Sequence, residues 1–194
     1  MNALGSAFSE LLGALDRLEI DFLVGGSVAS GTHGTPRMTN DIDILADLTA
    51  DRVDEFCEVL SPSFYVDRDT ILQALETGRS FNLIHLRAAV KFDIFPAGSD
   101  PFARSELGRR QYTTTPITGL EEIEFPVASP EDTVLAKLVW YRKGGQSSDR
   151  QRDDILGILR VQSTRLDQPY LKQWAVRLGV PDLLDTFLDQ ARTP

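Results

Sequence analysis

The sequence predicts an α+β fold: a mixed α/β core ending near residue 128, then a helical segment packed on it. Three observations predict it. Short aliphatic runs with strand spacing, at 20–24, 41–45, 80–86 and 89–95, are interspersed with helix-like stretches. At Ser129 the character changes, because Ser129-Pro130-Glu131-Asp132 is a helix start with a capping serine, a proline at the first position and acids in the first turn. Beyond it the spacing is helical, over about 130–143, 148–161, 169–178 and 181–191. No linker rich in Gly, Ser or Pro separates 1–128 from 129–194, so the two parts form one compact unit.

The elements follow in order. Phe8, Leu11, Leu12, Leu15 and Leu18 recur at helical spacing over 6–18. Residues 20–24 read as a short buried strand ending in Gly25-Gly26, with Ser27 as N-cap of a short helix that Gly34, Thr35 and Pro36 break. Residues 41–45 alternate carboxylate and aliphatic side chains, which is strand spacing. A helix over 51–60 stops at Ser61-Pro62, and another over 70–76 ends near Gly78. Residues 80–86 and 89–95 form a hairpin, antiparallel because the link around Arg87-Ala88 is short. Residues 111–115 and 122–127 are weaker strands.

Composition narrows the function. With 194 residues, 42% hydrophobic and 25% charged, the chain is an ordinary globular protein. No apolar run approaches the ~18 residues of a membrane span, and the first ten residues lack a signal-peptide pattern, so a cytoplasmic location is expected. One cysteine, Cys57, excludes an internal disulfide and reads as a small buried hydrophobe. With only His33 and His85 beside it, a structural zinc site is excluded, and any metal is a hard cation bound by oxygen. A net charge of −9 disfavours duplex DNA. It leaves a nucleotide substrate open, since magnesium supplies the missing positive charge.

The chemistry concentrates in residues 23–45. Residues two apart in a strand share a face, so Asp41 and Asp43 project side by side while Ile42 and Ile44 turn into a core. Such a pair is half a cage for magnesium or manganese, or alternatively two solubility acids on an exposed edge strand. Upstream, a buried strand, Gly25-Gly26 and Ser27 at a helix start make a phosphate-binding arrangement, since glycine lets backbone amides approach an anion. Asp93 lies between Phe92 and Ile94 in an apolar strand that the hairpin can bring beside Asp41 and Asp43. Three acids, two metal ions and a triphosphate make the two-metal arrangement for phosphoryl transfer.

Gly26-Ser27, Asp41-Ile42-Asp43 and Asp93 together resemble the pattern of the DNA polymerase beta-like nucleotidyltransferase superfamily. The resemblance implies a small mixed sheet flanked by helices. It implies that Gly26-Ser27 holds NTP phosphates, that Asp41 and Asp43 bind both metals, and that Asp93 binds the catalytic metal and helps activate the acceptor hydroxyl. The stretch from 129 onward is similar to bacterial nucleotidyltransferases of the AbiE-type (AbiEii) toxin–antitoxin systems, in which a helix with a lysine precedes a helix with an aspartate. The matching positions are Lys137 and Asp154.

The residues bear on those two positions independently. Lys137 is the one charge in the apolar run 134–141, so it either snorkels to water or meets an anion. Asp154 falls on the side of Ile155 and Ile158, facing inward toward Lys137, and Asp153 points outward. Arg37 and Thr39 lie in the loop leading to Asp41, where they join Gly25, Gly26 and Ser27 as candidate phosphate ligands; the alternative for Arg37 is an ordinary loop arginine. Trp140, Tyr141 and Trp174 read as packing aromatics. The expectation is a metal-dependent transfer of a nucleoside monophosphate from an NTP to an acceptor hydroxyl on a small molecule, a protein or a tRNA, with release of pyrophosphate. The alternative is a silent nucleotide-binding or antitoxin-binding module of the same fold.

Overall fold

A computed structural model of the chain describes residues 3–37, 39 and 41–192. Seven strands form one mixed sheet: β1 (Phe22–Val24), β2 (Asp41–Ala46), β3 (Phe64–Tyr65), β4 (Phe81–His85), β5 (Lys91–Pro96), β6 (Gln111–Thr113) and β7 (Phe125–Val127), in the order β3-β4-β5-β2-β1-β7-β6. β2 runs antiparallel to β1 and parallel to β5, and β4 pairs antiparallel with β5 as a hairpin. The helices among the described residues are α1 (Ala3–Arg17), α2 (Gly26–His33), α3 (Val53–Leu60), α4 (Arg68–Thr77), α5 (Pro101–Arg109), α6 (Pro130–Lys143), α7 (Asp149–Gln162), α8 (Gln168–Arg177) and α9 (Pro181–Arg192). None is long and apolar enough to cross a membrane.

Register assigns each strand residue its face. Ile42, Ile44, Phe92, Ile94, Phe81 and Leu83 point to one side and are buried with Phe8 and Leu11 of α1, Phe56 of α3 and Ile71 of α4. The opposite side carries Asp41, Asp43 and Leu45 beside Lys91, Asp93 and Phe95. Burying a Phe or Ile side chain contributes ~1.5–3 kcal/mol. A one-residue slip of β5 would put Asp93 in the core and Phe92 in water, so the same burial that stabilises the sheet fixes where Asp93 projects. A second apolar cluster joins Val134, Leu138, Ile155, Ile158, Leu171, Trp174 and Phe187 from α6 to α9, together with Phe102 of α5.

α2 ties the two clusters together. His33 at its end donates from Nε2 to Ala128 O at 2.7 Å, and Gln162 of α7 donates to His33 O at 2.7 Å. At Gly34 the backbone approaches α7 so closely that a Cβ would lie 2.8 Å from Ile158 N.

Several elements differ from the sequence reading. Ser27 is not the N-cap of α2: Gly25 occupies that position, and no side chain caps the helix. The helix starts two residues earlier than expected, with Gly26 at a positive φ, and Ser27 lies in the first turn. α4 begins at Arg68 because the Asp67 side chain accepts from Thr70 N. β3 and α5 were unforeseen, the first for its two residues, the second although Asp100-Pro101 caps it as Ser129-Pro130 caps α6. Cys57 is half-buried rather than buried, on the rim of the first cluster.

Candidate active site

The Gly25 amide donates to Asp43 O at 2.9 Å, which fixes the end of β1 against β2. Gly26 then turns with a φ of +53°, in the left-handed region. A Cβ at this position would lie 1.7 Å from Asp43 Oδ2 and 2.9 Å from Asp43 Cβ. Only glycine lets the start of α2, with its free N–H groups and favourable dipole, sit against a carboxylate in this way.

Asp43 and Asp93 are register partners on neighbouring strands, and Asp41 pairs likewise with Lys91. Burial, then repulsion from Asp93, pushes the Asp43 carboxyl up to about 6. Lys91 counters that repulsion, with Nζ 2.9 Å from Asp93 Oδ2 and 3.5 Å from Asp41 Oδ1. Bonding to Asp93 in turn raises the lysine above its usual range. The three aspartates thus share one sheet face with an ammonium group between two of them. Among the described residues no three acidic, imidazole or thiol groups already form a closed metal cage. Lys91 went unremarked in the sequence, yet it lies two residues before Asp93, and strand alternation puts it on the same face.

The helical half adds a second charge cluster. Arg37 clamps Asp154 with two bonds, Nε to Oδ1 at 3.0 Å and Nη2 to Oδ2 at 3.1 Å, and Nη2 also donates to Ser27 Oγ at 2.7 Å. Lys137 Nζ donates to the same Asp154 Oδ2 at 2.8 Å and to Gln151 Oε1 at 3.3 Å. Burial raises the Asp154 carboxyl, but the bonds from Arg37 and Lys137 outweigh it and hold it below the usual range. Burial lowers Lys137, and Asp154 opposes that. Lys137 does not snorkel: it is 5% exposed.

Only some of these groups line a cleft of about 400 Å³, within the size range of ligand sites; Asp41, Asp93, Lys91, Arg37 and Asp154 do not, and Arg37 and Asp154 line a separate cavity of about 320 Å³. Gly25, Gly26, Ser27, Asp43 and Lys137 line one part of the larger cleft. Leu23, Leu45, Phe95, Trp140 and Glu106 line another. Thr39 does not line it; its hydroxyl donates to Asp41 O at 2.8 Å and secures the entry to β2. The neighbours Met38 and Asn40 lie outside the described residues. Trp140 is not a packing aromatic: it is 51% exposed and meets Phe95 edge to face at 6.3 Å. Trp174 does pack, buried against Phe102. Glu106, on the unforeseen α5, carried no sequence signal.

No family model matches the chain, and no curated protein matches its sequence. Solved structures do. The chain is similar to the antibiotic-resistance factor ANT(2'')-Ia, with 16% identity, a TM-score of 0.55 and coverage of 94% of this chain and 96% of that one. The same protein in complex with adenylyl-2''-tobramycin matches at 14% identity with a TM-score of 0.53, over 92% of this chain and 98% of that one. An antigenic nucleotidyltransferase-like protein from Paracoccidioides brasiliensis matches at 21% identity with a TM-score of 0.53, over 96% and 92%. At such identities the likeness is one of fold.

Proposed function

We propose that this chain is a nucleotidyltransferase, which moves a nucleoside monophosphate from an NTP to an acceptor hydroxyl and releases pyrophosphate. The observation that carries the reading is the meeting of Gly26 with Asp43, where the start of a helix touches a carboxylate and no Cβ fits between. Phosphate on the helix end and cation on the carboxylate are then adjacent by construction. The α2 amides and the Ser27 hydroxyl bind phosphate oxygens. Arg37 and Lys137 bring two cations to one Asp154 carboxylate, and Arg37 also reaches Ser27. Asp93 takes or orients the proton of the attacking hydroxyl.

The donor set fits Mg²⁺ or Mn²⁺, since Asp41, Asp43 and Asp93 offer oxygen alone, and two of them, Asp41 and Asp93, already draw an ammonium group between them. These three residues would hold the ions, which when bound supply charge to offset that of the transferring phosphoryl group. ANT(2'')-Ia has been solved with adenylyl-2''-tobramycin, which supports a small-molecule acceptor over a protein or tRNA end. The AbiEii-related subfamily and an antitoxin partner rest on Lys137 and Asp154 alone. A cytoplasmic location goes with the use of NTP.

A second reading, a nucleotide-binding module without turnover, is favoured by Lys91, whose ammonium already neutralises Asp93. Incubation with each α-labelled NTP, magnesium and a cell extract separates the two. Label is expected in a small-molecule fraction, and Asp43→Asn is expected to abolish it. Nucleotide that binds while no fraction acquires label would establish the silent module instead.

A further inference from the structure

Part of the cleft lies beyond the residues that the transfer itself employs. On the same face of the sheet, one strand period past the Asp93–Asp43 row, stands the row Phe95, Leu45 and Leu23. That is ~7 Å along the strands. Ala136 and Trp140 of α6 line the same space. Into this apolar part α5 brings Glu106, which makes no hydrogen bond or ion pair among the described residues. The Thr133 hydroxyl at the same wall is committed to Ser129 O, at 2.8 Å.

α5 cannot easily carry Glu106 away. Asp100 caps it, accepting from Phe102 N and Ala103 N at 2.8 and 2.9 Å. Ser105 meets the Tyr170 hydroxyl at 3.0 Å, and Arg109 pairs with Glu131 at 3.1 Å. The charged groups that act on Glu106 are acids, Asp132 at the start of α6 and Asp100 at the start of α5. The nearby cations are engaged: Arg109 with Glu131 and Asp132, Lys137 with Asp154. Burial, reinforced by those two acids, holds the carboxyl well above the usual range, so it resists ionising while the cleft is empty. A ligand cation is what such a group lacks. Trp140 suits one too, and already lies 4.9 Å from the Lys143 ammonium.

We infer that Glu106 selects the acceptor, and that the acceptor is an amphiphilic amine: one ammonium group for Glu106, an apolar body for Phe95, Leu45 and Trp140, and a hydroxyl that reaches Asp93. The inference rests on the transferase reading above. Glu106 is the one carboxylate beside the apolar row among the residues that line the cleft there, so one ion-paired ammonium group is specified. On binding, the carboxyl releases its proton and the ammonium replaces it, leaving the pair neutral.

The test uses the full-length protein with NTP and magnesium, a panel of hydroxyl-bearing apolar monoamines, and the N-acetylated form of each. Pyrophosphate release gives kcat/KM, and calorimetry in buffers of different ionisation enthalpy counts protons released. The amine is expected to exceed its acetylated form by about tenfold or more in kcat/KM, as for a charge-assisted bond made or missed. Protons should leave as the amine binds, because the ammonium favours the ionised carboxylate. Glu106→Gln, an isostere without charge, is expected to bring the ratio to within about twofold and to end proton release. Trp140→Leu should lower the ratio while proton release remains. Equal use of amine and acetylated form by the wild-type protein overturns the inference and leaves the transferase reading intact. So does a Glu106→Gln protein that keeps the preference, or one whose change falls on NTP binding instead. Absence of pyrophosphate release with every acceptor, from a protein that binds NTP, overturns the transferase reading itself.

Discussion

A methyl group at residue 26 would occupy the space of the Asp43 carboxylate, and it would sit on a left-handed backbone as well. Gly26→Ala should therefore cost about 1–2 kcal/mol in stability and, by displacing Asp43, about 100-fold in turnover. Melting temperature and kcat/KM measured together check both; an active, stable alanine variant would refute the contact. Lys137 yields a sharper contrast. Its amine is buried against Asp154, so Lys137→Met strands that carboxylate with Arg37 as its remaining partner. It should lose stability by about 1–3 kcal/mol and lose turnover by more than it loses NTP affinity. Glu106 has a signature in pH. Its folded-state carboxyl keeps a proton that the unfolded chain releases above about 4.5. Stability conferred by that proton falls as pH rises from there until the folded carboxyl ionises. Glu106→Gln should thus match the wild type near pH 4 and melt progressively higher than it as pH rises above about 4.5. Among these residues the period of two marked Asp41, Asp43 and Asp93, and it marked Lys91 equally well. Glu106 was hidden because an acid on an amphipathic helix reads as solvated until its neighbours are known.

Elements with their own punctuation were legible one at a time. α6 runs from Pro130 to Lys143 with Ser129 as cap, the hydroxyl accepting from Asp132 N at 3.1 Å and donating to Asp132 Oδ2 at 2.7 Å. The hairpin of β4 and β5 was legible from its short link. The parallel pairing of β5 with β2 was reachable only through the aspartates, because a parallel partner leaves no local turn to read. The start of α2 was misjudged by the same logic that served α6: a serine before a helix caps it when the chain enters extended, and Gly26 does not let it. α2 is also the element with least room. Gly34→Ala would press a Cβ onto the α7 backbone at Ile158 N and Gly157 C, 2.8 and 2.9 Å away. Main chain cannot yield as a side-chain tip does, so a loss of about 1–3 kcal/mol is expected by denaturant titration. Tolerance of that change would mean that α2 and α7 are less firmly joined.

The described residues hold two apolar clusters and one sheet, yet the links between them are specific: His33 to Ala128, Gln162 to His33, Arg37 to Asp154. All three pass through the end of α2 at His33 or the turn after it, and Arg37 reaches back to Ser27 at the start of the helix. The expected result is one heat-absorption peak whose calorimetric and van't Hoff enthalpies agree. Burial lowers His33 below its usual range, so its imidazole stays neutral in the fold while the unfolded chain takes up a proton below about 6.5. The stability this confers is present above that pH and is lost as pH falls from there through the lower folded-state value. At this scale the sequence read truly as an α+β chain with a helical end. The joining of its halves escaped it, since Gly34, Gly157 and Ala128 are residues whose importance is that nothing larger fits or that their backbone is bonded.

Every amino acid other than glycine carries a Cβ, so each possible replacement of Gly26 brings the same intruding atom to Asp43. The position has no graded neighbours in mutational space. A lineage can lose this site in a single step there, but cannot adjust it, and drift in activity among descendants of this chain has to run through residues such as Lys91, Trp140 and Glu106, where intermediate sizes and charges exist.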